Sequence, residues 1–175
     1  MSMSLLQFFI EQFQRLHADF DAVVEGLTPE QLHWRPSQGT NHIAFVIWHY
    51  ARTEDNIVQF VLQRAPTVWM DEGWDKRLGL DSKTQGTSMT DEDAAALYLG
   101  SVQGFLPYMQ KVWRHTEAYL STLSDADLER LTLIRPQGER TVETILTENM
   151  LTHGFSHLGE IWVLRSLQQL QGAPF

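Results

Sequence analysis

The stretch TVETILTENMLTHGFSHLGEIWVLRSLQQLQ, residues 141–171, decides the reading of the fold. Val142, Ile145, Met150, Ile161 and Leu164 fall on one stripe at helical spacing, so the segment reads as a long amphipathic helix. Working outward, three more segments carry the same period. The first places Leu5, Phe9, Phe13, Leu16, Phe20, Val23 and Leu27 three or four apart throughout. Residues 41–64 align Ile43, Val46, Tyr50, Ile57 and Val61, and residues 90–122 align Leu97, Val102, Phe105, Met109, Val112, Thr116 and Tyr119. Pro107 lies inside that last segment and is expected to kink or split it, because proline has no N–H for the carbonyl of residue 103. Strand-like alternation is hardly visible. Four apolar stripes bury one another most simply in an all-α bundle, which is the fold class predicted here.

Two of the connections resemble each other. One runs Leu27-Thr28-Pro29-Glu30-Gln31-Leu32 and then Arg35-Pro36-Ser37-Gln38-Gly39; the other runs Leu123-Ser124-Asp125-Ala126-Asp127-Leu128 and then Arg135-Pro136-Gln137-Gly138. Each offers an N-cap, a short helical turn ending in leucine and a Pro-x-Gly break before a new helix. The likeness suggests two related helix pairs. The third connection, residues 65–89, is long and rich in Gly, Asp and Trp, and is read as a loop covering a site.

Composition narrows the function. The 175 residues fit a single domain, 1–175, and 43% hydrophobic residues are enough for a real core. Lys and Arg number 13 against 22 Asp and Glu, a formal charge of −9. Nucleic acid and anionic membranes are recognised through clustered basic residues, so both are poor partners for this surface. With no cysteine, disulfides, thiolate-bound zinc, iron–sulfur clusters and a catalytic thiol are all excluded. The N-terminus has no basic leader, and Glu11 interrupts it. The longest apolar run, residues 43–51, is far below the ~20 residues of a membrane span. A soluble, cytoplasmic protein is expected.

The seven histidines then carry the argument. His153-Gly154-Phe155-Ser156-His157 puts two imidazoles one above the other on a helix, able to converge on one metal ion. Seven histidines in 175 residues predict roughly 0.27 such pairs by chance, so spacing alone is weak. Position strengthens it, because both fall within the buried stripe, where two stacked imidazoles without a paired acid are hard to satisfy unless they hold a metal or ligand. His49 interrupts the most apolar run in the chain. It lies ten residues after Gly39, and His153 fifteen after Gly138, so the three can meet across the bundle. Three imidazoles from two helices leave a metal with open positions, as catalytic sites require. The bland alternative is a set of core histidines bonded to backbone or hydroxyls.

Glu160, three residues after His157 and seven after His153, shares their face and is read as a fourth ligand, a base acting on bound water, or a partner orienting an imidazole; a surface role is the alternative. His42 is two turns, about 10 Å, from His49 and reads as a helix-start residue near the pocket rim. Structural or surface roles are expected for His17, His33 and His115. Ser156 is read as lying beside the metal face, and the six tryptophans as mostly packing anchors, with Trp69 and Trp74 as the expected exceptions. There is no HExxH, no GxSxG elbow, no Walker A loop and no GxGxxG.

Taken together, these residues resemble the DinB/YfiT-like superfamily of metalloenzymes over essentially the whole chain. The matching elements are Leu27 to Leu32, Trp34-Arg35-Pro36, Asn41-His42-Ile43-Ala44, Trp48-His49, the Trp69/Trp74 loop, and His153-x3-His157-x-Gly159-x-Ile161. The resemblance implies a four-helix bundle of up-down-down-up topology, a homodimer, and a divalent metal, nickel or zinc, held by His49, His153 and His157. Three imidazoles also suit iron and copper. Relatives include bacillithiol S-transferases, mycothiol-dependent maleylpyruvate isomerase and the metal-binding domain of ergothioneine synthases. Where relatives often carry glutamine, this chain has Glu160. The function expected is that of a metal-dependent enzyme activating water or a low-molecular-weight thiol towards a small-molecule substrate, a thiol transferase or hydrolase. A non-catalytic metal- or ligand-binding bundle is the alternative.

Overall fold

The computed structural model describes residues 3–173, and they are mostly helical. Helix α1 spans Leu5–Val24, started by Ser4, whose Oγ accepts from the Gln7 N–H at 3.1 Å. After the turn at Gly26, Thr28 and Gln31 form a capping box around the short α2, Pro29–Leu32. Helix α3, Ile43–Asp55, runs on as a π-helical stretch, Asn56–Leu62. Two short helices follow, α4 (Val68–Asp71) and α5 (Trp74–Leu78). Next come α6 (Asp91–Ala96), α7 (Val102–Thr122) and a 3-10 turn, Asp125–Glu129. A small hairpin of β1 (Leu131–Ile134) and β2 (Gly138–Thr141) leads into α8 (Val142–Thr144), a second π stretch (Ile145–Thr152) and α9 (His153–Leu167). No helix among the described residues is long and apolar enough to cross a membrane.

Packing follows the apolar stripes. Helix α1 lies against α7 and α9, and α3 lies against the same two. Between them Phe13, Leu16 and Phe20 of α1, Ile43, Ile47 and Tyr50 of α3, Phe105 and Met109 of α7, and Leu158 and Ile161 of α9 are essentially fully buried. Ring contacts knit these layers: Phe20 stacks on Tyr50 with centroids 4.7 Å apart, and Trp113 stacks on the buried His17 at 4.5 Å.

Three expectations change. The segment 90–122 is divided at residues 97–101 and not at Pro107, which sits inside α7. Gly100 takes a left-handed φ of +70°, ending the first piece, and Ser101 starts the second. The Arg135-Pro136-Gln137-Gly138 break is the turn of the hairpin, which pairs Leu131 with Thr141 and Ile134 with Gly138. The Arg35–Gly39 break forms no strand, so the likeness of the two connections stops at their capped turns. Finally, the periodicities of residues 41–64 and 141–171 each conceal a π stretch. One extra residue per turn shifts the stripe's register while its apolar members stay buried.

The long connection is held down by buried charge. Both carboxylate oxygens of Asp55 accept from the first N–H groups of α4, Val68 and Trp69, each at 2.9 Å, and Tyr108 donates its hydroxyl to the same group. Arg52 donates to the carbonyls of Ser82 and Thr84 and lies over the Trp69 ring. Trp69 and Trp74, expected as the exceptions among the tryptophans, are both buried core anchors.

Candidate metal centre

Because α3 packs on α9, His49 near the middle of α3 faces the first turn of α9, which carries His153 and His157. That approach is tight. A Cβ added at Gly154 would lie 2.6 Å from Leu16 and 2.8 Å from Tyr50, so only glycine between the two histidines lets the helices come this close. The three imidazoles converge through their Nε2 atoms, 3.2 Å apart between His49 and His153 and 2.8 Å apart between His157 and His153. Their ligand atoms all lie within 4.8 Å of one another, as a group that can hold a metal ion.

The outer ring nitrogens explain why the inner ones are free. His49 Nδ1 donates to the Gln85 carbonyl at 2.5 Å, and His157 Nδ1 meets the Glu160 carboxylate at 2.9 Å. Carbonyls and carboxylates only accept, so His49 and His157 carry a proton on the outside and turn a lone pair inward, towards the Nε2 of His153. Three ring nitrogens are thus gathered at one point, at least two of them with an inward lone pair. A borderline divalent cation is the partner this donor set suits.

Burial favours the neutral form of His49 and His153. Burial, then the neighbouring His157 and His49, push His153 down to about 4. Burial likewise lowers His49, against an opposing pull from the Gln85 carbonyl. Burial would raise Glu160, but hydrogen bonds from His157 and Asn41 outweigh it and hold the carboxylate below its ordinary range. Both Glu160 oxygens are engaged, one with His157 and the other with the Asn41 amide at 3.0 Å.

The centre opens into a cleft of about 1050 Å³. The two π stretches contribute Asn56, Ile57 and Val61 on one side and Glu148, Asn149 and Thr152 on the other. Residues 85–88 line it too, so the 65–89 connection does reach the site. Gly86 has φ +93°, and a Cβ there would come within 2.9 Å of His49 Nδ1. Glycine at this position thus lets the Gln85 carbonyl reach the ring.

Other histidines stand apart. His42 caps α3, its Nδ1 accepting from the Phe45 N–H. His33 donates to the Pro29 carbonyl and accepts from the Leu99 N–H, and the exposed His115 contacts Gln59. His17 is buried between Glu54 and Glu117. Ser156 lines the cleft, but its hydroxyl is spent on the Thr152 carbonyl. Gln85 escaped sequence reasoning, since it acts through a carbonyl that every residue possesses. Asn41 could be found only through its place in the family motif.

A helical protein with three convergent imidazoles in a cleft is the class these features define. The family model for the DinB superfamily matches residues 12–161, and the chain belongs to that superfamily. No curated protein matches it. Among solved structures, the crystal structure of a conserved protein from Enterococcus faecalis is similar over 95% of this chain and 98% of that one, with a TM-score of 0.83 and 20% identity, a likeness of fold.

Proposed function

We propose that His49, His153 and His157 hold one divalent metal ion, and that the cleft is the active site of a metal-dependent enzyme acting on a small molecule. The observation that carries this reading is the convergence of three Nε2 atoms, with the outer nitrogens of His49 and His157 held by Gln85 and Glu160. Bound there by three protein ligands, a nickel or zinc ion would lower the pKa of a water or thiol, the basis for thiol transfer or hydrolysis. The chain's own contribution is positioning. Gln85 and Glu160 fix the orientations of the His49 and His157 rings, and Asn41 fixes Glu160. With both oxygens committed, Glu160 acts as a positioning residue rather than as a base or fourth ligand.

The pairwise packing of α1, α3, α7 and α9 supports a four-helix bundle, to which the family resemblance gives the up-down-down-up topology. The family resemblance adds a cytoplasmic homodimer to the proposal. Metal content by plasma mass spectrometry, for wild type and His153→Ala purified without tag metals, tests the site. Near one equivalent in wild type, lost in the variant, is expected; no uptake of nickel or zinc by wild type would overturn the reading. Turnover of thiol-transfer and hydrolytic substrates, abolished in a folded His157→Ala, tests the enzyme.

A further inference from the structure

We infer that Arg64 and Arg135 form an anion-recognition subsite at the edge of the same cleft, so that its ligand is a small molecule bearing a carboxylate. Among the described residues they are the only Lys or Arg lining the cleft, against the single lining acid Glu148, in a chain whose net charge is −9. Both are exposed, and neither guanidinium makes a hydrogen bond or ion pair with another described residue. Two cations with no structural partner on a cavity wall are available to a ligand, and a planar guanidinium matches a carboxylate with two parallel hydrogen bonds.

The backbone at Arg64 points the same way. The Ala65 N–H bonds back to the Gln59 carbonyl at 2.9 Å, and this closure of the π stretch carries Arg64 into the left-handed region at φ +59°. Glycine adopts that conformation at least cost, yet the chain places a long cation there. Strain retained beside a cavity is a signature of a working side chain. Among the described non-glycine residues only Arg64, Ser88 and Gln169 have positive φ, and the first two both line this cleft. Arg135 follows β1, which packs against the 56–62 stretch, so neighbouring elements present the two cations. Ile57, Val61 and Leu133 supply an apolar lining to the same cleft. The ligand is then a short organic acid with an apolar spacer and, resting on the metal reading above, a metal-seeking group at its far end.

Titration calorimetry of the cobalt-loaded protein with 3-mercaptopropionate and with 2-mercaptoethanol tests this. Wild type is expected to bind the carboxylate thiol at least tenfold more tightly. In the double variant R64Q/R135Q that preference disappears, while affinity for 2-mercaptoethanol and cobalt stoichiometry stay unchanged. Arg64→Gly should weaken the preference yet melt no lower than wild type, which separates a binding role from a structural one. Equal affinities in wild type, or a preference surviving in the double variant, would overturn the subsite. Should wild type take up no cobalt, the metal reading fails by itself. Glutarate binding to the metal-free protein, lost in R64Q/R135Q, would then still support the subsite, and its absence would overturn it.

Discussion

His49 and His153 face each other across the α3–α9 contact with their Nε2 atoms 3.2 Å apart. His49 holds its proton outside the group, on the Gln85 carbonyl, and turns a lone pair inward. His157, with its Nε2 2.8 Å from that of His153 and its Nδ1 on Glu160, turns a second lone pair to the same point, and the two repel. The arrangement stands because helix packing imposes it, and a bound cation would turn the repulsion into coordination.

Metal should therefore stabilise the fold. An ion present at a hundred times its dissociation constant adds about 2.7 kcal/mol. Thermal melting with and without a chelator is expected to show that gain for wild type. Substituting alanine for His49, His153 or His157 should remove it, and a chelator-insensitive wild type would refute the prediction.

Glu160→Ala leaves the His157 ring unanchored and should weaken metal binding about 10–100-fold, the usual loss on removing a partner behind a ligand. Glu160→Gln keeps an acceptor for His157 Nδ1 and should lose less. Competition against a chromophoric chelator measures both. Equal affinity of wild type and Glu160→Ala would show that Asn41 and Glu160 do not position the ring.

Two glycines differ in what they protect. In Gly154→Ala the new methyl meets Leu16 and Tyr50 in the core, so the protein should lose roughly 1–3 kcal/mol to overpacking. In Gly86→Ala the methyl meets His49 Nδ1 on a backbone at φ +93°, so the Gln85 carbonyl is displaced. Metal affinity should fall more than stability there, whereas Gly154→Ala should lose both. Urea unfolding beside metal titration separates the two.

Stability should also decline in mildly alkaline solution because of His17. Burial lowers its pKa, but Glu54 and Glu117, both in contact with the ring, raise it to about 9 from 6.5. A folded pKa above the unfolded one favours the folded state fully below about pH 6.5, and the benefit is lost as pH rises through about 9. The shift corresponds to roughly 3 kcal/mol. Urea unfolding at pH 6.5 and 9.5 should show a loss for wild type that is much smaller in His17→Gln, a variant less stable throughout because Glu54 stays buried without its cation. Parallel pH profiles for the two proteins would refute the assignment.

Much of the molecule was legible beforehand, for local reasons. Helical period is a property of neighbouring residues, so the stripes through Phe13, Tyr50, Met109 and Ile161 were readable as buried faces, and all four are buried. The i,i+4 pair of His153 and His157 is likewise local, and with the motifs around Asn41 and His49 it was enough to place the chain in its superfamily.

What only the tertiary structure decided is of another kind. The meeting of His49 with the pair depends on how closely α3 and α9 approach, which Gly154 permits but no periodicity encodes. The acceptor behind His49 is a backbone carbonyl, present at every position and set apart here only by the loop that Arg52 and Gly86 hold in place. The π stretches at 56–62 and 145–152 keep the apolar pattern of an α-helix while shifting its register, and the hairpin at 131–141 is too short to show an alternation. Side-chain pattern thus determined the helices and the superfamily; contacts between residues far apart in the chain decided the centre's geometry and the cations that face its cleft.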